Sequence, residues 1–301
     1  GYFFPEMYFD NAMKMKEQCW IQLRELMTNY GKIDMLWFDG EWLAHGGLKW
    51  GPGGWCREPD WQQREYFNVN YFWESEKLIN MIRELQPGIM INNRGGWKGD
   101  FHSRERRVGD MRTDKPWDSC DCIAASWGWI PDTPMLSLSQ LIKNLVNIVT
   151  KDGNYLLNVG PTGEGDMEKR QIDRLAQVGE WLKEYGEAIY STRGGPFLPG
   201  RWGGTVYRGN IVYVHITDWV EDKIVLPRID NNMVSYSSLT SDNAKVVQTD
   251  DTIEIEVPIC SRHPFDTIIK LEFEKPIQWE GVKGKENDHY GLADGLQGKA
   301  K

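Results

Sequence analysis

Apolar residues recur at spacings of three and four from Trp20 through Leu23 and Met27 to Tyr30, which predicts a helix over 10–30 capped by Asp10. Gly31 closes it. The next stretch, 33–39, is mostly large and apolar and reads as a buried strand, yet it ends on Asp39-Gly40-Glu41-Trp42. A long Gly- and Trp-rich loop follows over 40–72, a length usually kept for function. Leu78, Ile82 and Leu85 share one face of a helix over 76–85, and Pro87-Gly88 ends it. The short strand 89–93 again finishes on polar residues, Asn92-Asn93-Arg94. The theme returns with a helix over 139–150 (Leu141, Ile142, Leu145, Val146, Val149), an Asp152-Gly153 turn and a strand over 155–159 that stops at Gly160-Pro161. A helix over 168–185 with Ile172, Leu175 and Leu182 runs to its stop at Gly186.

Strands alternating with helices predict a parallel sheet. Apolar strands that keep ending in polar or small residues predict one face where chemistry collects. In a β/α barrel that face is the C-terminal end of the strands, where Asp39, Arg94 and Asn158 fall. After Gly194-Gly195-Pro196 helical periodicity stops. The runs 205–207 and 211–217 flank Gly209-Asn210, 245–248 and 252–257 flank Asp250-Asp251, and 268–273 alternates. The pattern predicts an α/β region over 1–193, a β-sandwich over 194–275 and a polar tail over 276–301.

Composition narrows the chemistry. A net charge of -9 and a pI near 5.2 argue against nucleic acid. No run of 18 apolar residues spans a membrane. Gly1-Tyr2-Phe3-Phe4 has neither the basic start nor the cleavage site of a signal peptide, and the compartment is left open. The five cysteines (Cys19, Cys56, Cys120, Cys122, Cys260) form no CxxC and the five histidines show no HxxxH, so no disulfide framework, metal or cofactor is expected. Of the fifteen tryptophans, ten fall between Trp37 and Trp129, a density that suits either core filling or a sugar-binding cleft.

Glycosidic bonds are usually cut by two carboxylates, one attacking or activating water, the other protonating the leaving oxygen. Asp39, at a strand end beside Trp37 and Trp42, suits the first role, with a helix cap or a buried salt bridge as alternatives. The segments YGKIDMLWFDGEW (30–42), INNRGGWKGDFHSRE (91–105), KPWDSCDCIAASWGW (115–129), NYLLNVGPTGEGDM (154–167) and GEWLKEYGEAIYSTR (179–193) resemble, in order, those of family 29 α-L-fucosidases.

The resemblance implies a partial (β/α) TIM-type barrel followed by the β-domain, and a retaining enzyme that releases terminal fucose from fucosylated oligosaccharides or glycoconjugates. Asp39 would be the nucleophile, carrying a fucosyl ester. Glu105 would be the acid/base, closing GDFHSRE where the family has G-D-F-x-T-P-E; Ser103-Arg104 replaces T-P. A retaining pair must stand roughly 5–5.5 Å apart. Glu41 and Glu58 are alternatives, and Glu41 also suits a substrate contact or a loop-fixing group. Trp37, Arg94 and Trp127 would contact the sugar; Asp118 stands near the site where many relatives have Glu, and Asn158 and Gly160-Pro161 would be architectural. A carbohydrate-binding remnant, or a retaining glycosidase for another sugar, are the competing readings.

Family members carry more chain before the nucleophile strand, including a histidine pair that holds fucose; here Asp39 is residue 39 and no His-His occurs. The expectation is a fragment or a natural short form. An eight-stranded barrel needs about 250 residues, so an open side is expected to be covered by a second copy, as a two-fold dimer or larger homo-oligomer. His45 or His102 could then supply sugar contacts. Residues 1–10 and the 40–72 loop could instead plug the gap.

Overall fold

The computed structural model describes residues 5–39, 73–94, 97 and 99–283. Its contacts group the chain into two compact units, Gly1–Ser103 and Arg104–Lys301.

In the first unit, helix α1 (Pro5–Asn29) starts earlier than the periodicity predicts, so Asp10 lies inside the helix and is not its cap. Proline suits a first turn, where its missing N–H leaves no bond unmade. Leu23 and Met27, one turn apart, bury against Leu78, Ile79 and Ile82 of helix α2 (Ser75–Leu85) and against Ile89 and Ile91. Gln86 fastens the two helix ends: its Nε2 donates to the carbonyls of Met27 (2.8 Å) and Gly31 (3.0 Å). Gly31 turns the chain at a φ of +83°, as the helix stop requires.

The expected buried strand over 33–39 is a two-residue strand, β1 (Met35–Leu36), and Met35 is exposed. It runs parallel to β2 (Met90–Ile91), with Leu36 opposite Ile91. Apolar composition misled here because the ladder stops at Leu36 and the Phe38 backbone bonds a side chain, Asn92, in place of a neighbouring strand.

The sequence pattern did not suggest strand β3 (His102–Glu105), which begins in the first unit and ends at Glu105 in the second. Nor did it suggest β4 (Trp117–Cys122), which pairs in parallel with β5 (Asn154–Asn158), Cys120 opposite Leu156. Trp117 is fully buried core. The Arg104 guanidinium lies 4.0 Å from its ring centroid, and a Cβ at Gly153 would stand 2.4 Å from the ring. Helix α3 (Leu138–Val149) starts at a capping box, with Ser137 Oγ accepting from Gln140 N and Gln140 Oε1 accepting from Ser137 N. Helix α4 (Lys169–Tyr185) follows.

The rest is β: β6 (Arg193–Gly194), β7 (Gly203–Arg208), β8 (Ile211–Ile216), β9 (Lys223–Pro227), β10 (Met233–Ser238), β11 (Lys245–Gln248), β12 (Thr252–Glu256) and β13 (Thr267–Phe273). One sheet has the order β10-β13-β8-β7-β6, the other β11-β12-β9. Alternation divides the strands between two cores. Val212, Val214, Ile216, Ile269, Leu271 and Phe273 meet Ile224, Leu226, Ile253 and Ile255 of the smaller sheet. Tyr213 and Ile268, on the opposite face, meet Ile142, Val146 and Trp181 of α3 and α4. His215, fully buried, ties this face together, with Nδ1 2.6 Å from Asp266 Oδ2 and Nε2 3.1 Å from the Ala188 carbonyl.

Glu74 joins α1 to α2 through Lys16 and Lys77, each 2.7 Å away, and these contacts hold its carboxyl down at about 2 instead of 4.5. A depressed carboxyl stabilises the fold above its unfolded value, and that gain is lost as pH falls from about 4.5 to about 2. Since the Glu74 side chain is 39% exposed, screening keeps the effect below about 1 kcal/mol. Glu74→Gln is therefore expected to lower the urea midpoint slightly at pH 7 and not at about pH 2; an equal deficit at both would disprove the linkage.

Candidate active site

The parallel ladder itself brings two polar tails together. Leu36 faces Ile91, and three residues further along each strand stand Asp39 and Arg94. Arg94 Nη1 lies 2.5 Å from Asp39 Oδ1, and the guanidinium stacks 4.6 Å from the Trp37 ring centroid. The Arg94 side chain is 10% exposed and that of Asp39 53%. The pair is thus no buried salt bridge: the cation is held by the ring, and the carboxylate keeps an open side.

Asn92 fixes the segment between. It is fully buried, its Oδ1 accepts from Phe38 N (2.8 Å) and its Nδ2 donates to Phe38 O (2.9 Å). The amide thus replaces the ladder where β1 has ended. A further layer steadies β2. Asp100 Oδ2 accepts from Ile91 N (2.8 Å), Arg83 binds Asp100 Oδ1 (2.6 Å) and stacks over Trp97, and Trp97 Nε1 donates to Asn92 O (2.8 Å).

The second unit holds the other candidates. Glu105 is half-buried at the end of β3, and the next residue, Arg106, turns at a φ of +52° and donates its N–H to Cys120 O (2.8 Å). Burial foremost pushes the Cys122 thiol up; Arg106 opposes, and Asp121 and Glu105 add to it. β3 neighbours β4, and the Arg106 bond to Cys120 sets Glu105 beside the later half of that strand. Beyond that end, residues 124–135 form a hairpin-like loop closed by the Ala124–Met135 bridge. It carries Trp127 and Trp129, 38% and 37% exposed. Asn158 Nδ2 donates to Trp127 O (2.8 Å). Gly160 and Gln171 exchange two bonds of 3.0 Å, repeating at the end of β5 the amide clamp that Asn92 makes at β1.

Of the residues singled out in the sequence, Trp37, Arg94 and Asp39 are brought together in the first unit, while Glu105 and Trp127 belong to the second. Glu41, Glu58, Trp42 and His45 lie outside the described residues. His102 is buried. Asp118 is buried at the start of β4, at the end opposite Cys122. That same N-terminal end of β4 and β5 borders a cleft of about 710 Å³ lined by Asp114, Asp152, Tyr155 and Tyr190 among others. Sequence reasoning missed Asn92 and Gln171 as clamps and Trp129 as an exposed ring. For Asn92 the available signal was a carboxamide just after a strand end; Gln171 lies in the first turn of α4 and carried no such signal, and nothing local names either partner.

The family model described as Alpha-L-fucosidase matches residues 3–187. Tissue alpha-L-fucosidase of Bos taurus is 30% identical over 234 residues, which is 72% of this chain and 43% of that protein. The Homo sapiens tissue enzyme is 27% identical over 238 residues, 74% of this chain and 45% of its own length. Alpha-L-fucosidase isoenzyme 1 from Paenibacillus thiaminolyticus superposes with a TM-score of 0.70 at 27% identity, over 87% of this chain and 63% of that one. A Bacteroides thetaiotaomicron alpha-L-fucosidase, solved as a trapped covalent intermediate with 2-fluoro-fucosyl fluoride, shares the fold, with a TM-score of 0.69 at 23% identity over 87% of this chain and 61% of that one. The chain spans about half or less of the length of the curated relatives it matches.

Asn92→Ala is expected to cost about 2–4 kcal/mol in urea unfolding, because two backbone groups of Phe38 lose their partner at once. A cost under about 1 kcal/mol would show that the clamp is dispensable.

Proposed function

The chain belongs to the alpha-L-fucosidase family, and on that premise we propose that it is a retaining exo-glycosidase releasing terminal α-L-fucose from fucosylated oligosaccharides or glycoconjugates. The observation that carries the reading is Asp39, three residues beyond the end of β1, oriented by Arg94 over Trp37 and half-exposed. Asp39 attacks the anomeric carbon and Glu105 protonates the departing oxygen, leaving a fucosyl ester on Asp39. Glu105 then takes a proton from water, which attacks the ester and restores the carboxylate. The trapped covalent intermediate of the Bacteroides relative supports a covalent route in this fold. Trp37, Arg94, Trp127 and Glu41 are proposed to contact the sugar. Trp127 suits the apolar face of fucose because its ring is exposed on a loop fastened to β5.

The proposed architecture is a partial β/α barrel over 1–193, a β-sandwich over 194–275 and a polar tail over 276–301 whose first part, with Ile277 and Trp279, packs into the sandwich core. The parallel β1–β2 and β4–β5 pairs support the first part, and the shared core of two antiparallel sheets supports the second. Self-association is proposed as well, since β1 and β2 form a two-stranded ladder among the described residues; a concentration-independent monomer in light scattering would oppose it.

Asp39→Gly is expected to cut turnover of an aryl α-L-fucoside by roughly 10³-fold or more, with partial recovery in azide. Near-normal turnover would remove Asp39 from the role. Glu105→Ala is expected to slow poor leaving groups far more than good ones; an equal loss on both would make Glu105 structural. Turnover of a different glycoside in an aryl-glycoside panel would move the specificity away from fucose.

A further inference from the structure

The loop 124–135 presents two indoles, and only Trp127 is used above. Trp129 is held from behind. Its Nε1 donates to Glu168 Oε2 (3.1 Å), Glu168 in turn binds Arg170 Nε, and Arg170 Nη1 reaches back to the Thr133 carbonyl (3.3 Å) on the far side of the same loop. The Arg170 contact, foremost, holds the Glu168 carboxyl below its usual range, so the bracket is charged and acceptor-only toward the indole. The loop backbone at Trp129 also presses on β5's exit: a Cβ on Gly160 would come within 2.7 Å of Trp129 N. Ile123 N donates to Asn158 O, Leu136 N to Ile123 O and Ala125 N to Pro134 O, closing the base of the loop.

The result is an unusual combination. A large apolar ring is anchored at its one polar atom and left 37% exposed, beside an exposed Ile130. An aromatic ring that served only to fill the loop would be covered. A ring fixed in orientation with an open face is built to stack, and the flat C–H face of a pyranose is the matching ligand. One residue, Gly128, separates Trp127 from Trp129, so their Cα atoms stand at most about 7 Å apart. A glycan whose fucose covers Trp127 therefore meets Trp129 with its next ring.

We infer that Trp129 is the platform for the sugar on the leaving-group side of the scissile bond, so that the protein selects fucosides whose aglycone is itself a pyranose. The inference rests on the fucosidase reading above. It is tested by comparing 2′-fucosyllactose, whose leaving group is a disaccharide, with α-L-fucosyl fluoride, whose leaving group is one atom. Trp129→Ala is expected to lower kcat/KM for the trisaccharide roughly tenfold and to leave the fluoride unchanged. Trp129→Phe, which keeps a ring face and loses the N–H, is expected to recover most of that loss. Equal losses on both substrates, or a Phe variant as poor as Ala, would make Trp129 a structural anchor and overturn the inference; so would an unaffected trisaccharide. Failure of the fucosidase reading is distinct, because the unmodified protein would then turn over neither substrate before any variant is made.

Discussion

A strand that stops so that its last residues can face a ligand leaves backbone N–H and C=O groups without a ladder, and each such group, if buried and unpaired, costs about 1–3 kcal/mol. The structure meets this constraint with the same device at two strand ends. Asn92 closes Phe38 on both its backbone groups, and Gln171 does so for Gly160. A primary amide is the one neutral side chain with a donor and an acceptor side by side, which is why it can stand in for a neighbouring strand. The candidate residues, Asp39 on one unit and the Trp127–Trp129 loop on the other, hang from these clamps.

Charge is placed with similar economy. Arg94 and Arg104 both lie over indole rings, at 4.6 Å and 4.0 Å. Around Arg104 the ring is Trp117, wholly buried, and the guanidinium spends its bonds on the carbonyls of Val108 and Asp110. Around Arg94 the ring is half-covered and the partner is a carboxylate with an open side. The two stacks share one chemistry. Their surroundings make the first a support and the second a device that orients an accessible carboxylate oxygen.

The β-region shows how a simple period serves two masters. Along β8 the odd and even residues face different cores, one shared with the smaller sheet and the other with α3 and α4. The central strand is therefore apolar except for Tyr213's hydroxyl, which donates to Glu187, and His215, whose ring nitrogens meet the Asp266 carboxylate and the Ala188 carbonyl. Burial without those partners would cost more than the pair returns.

The sequence by itself determined what depends on local spacing. Helices α2, α3 and α4 appear within a residue or so of their periodic patterns, since an amphipathic stripe has one way to bury. Strands β8, β11, β12 and β13 followed from alternation, and Asp39 was marked as a candidate by an apolar run that ended in acid. Tertiary structure decided what depends on partners far along the chain. Composition promised a buried strand up to Asp39, but the ladder ends at Leu36, and Asn92, more than fifty residues away, takes its place. Strand β4 was hidden because Asp118 and Asp121 interrupt its alternation, and only pairing with β5 makes it a strand. Trp117 and Trp129 read alike as tryptophans in one rich region. Gly153 and Arg104 enclose the first, while Glu168 pins the second, which stays 37% exposed, and no count of residues distinguishes a buried ring from an exposed one.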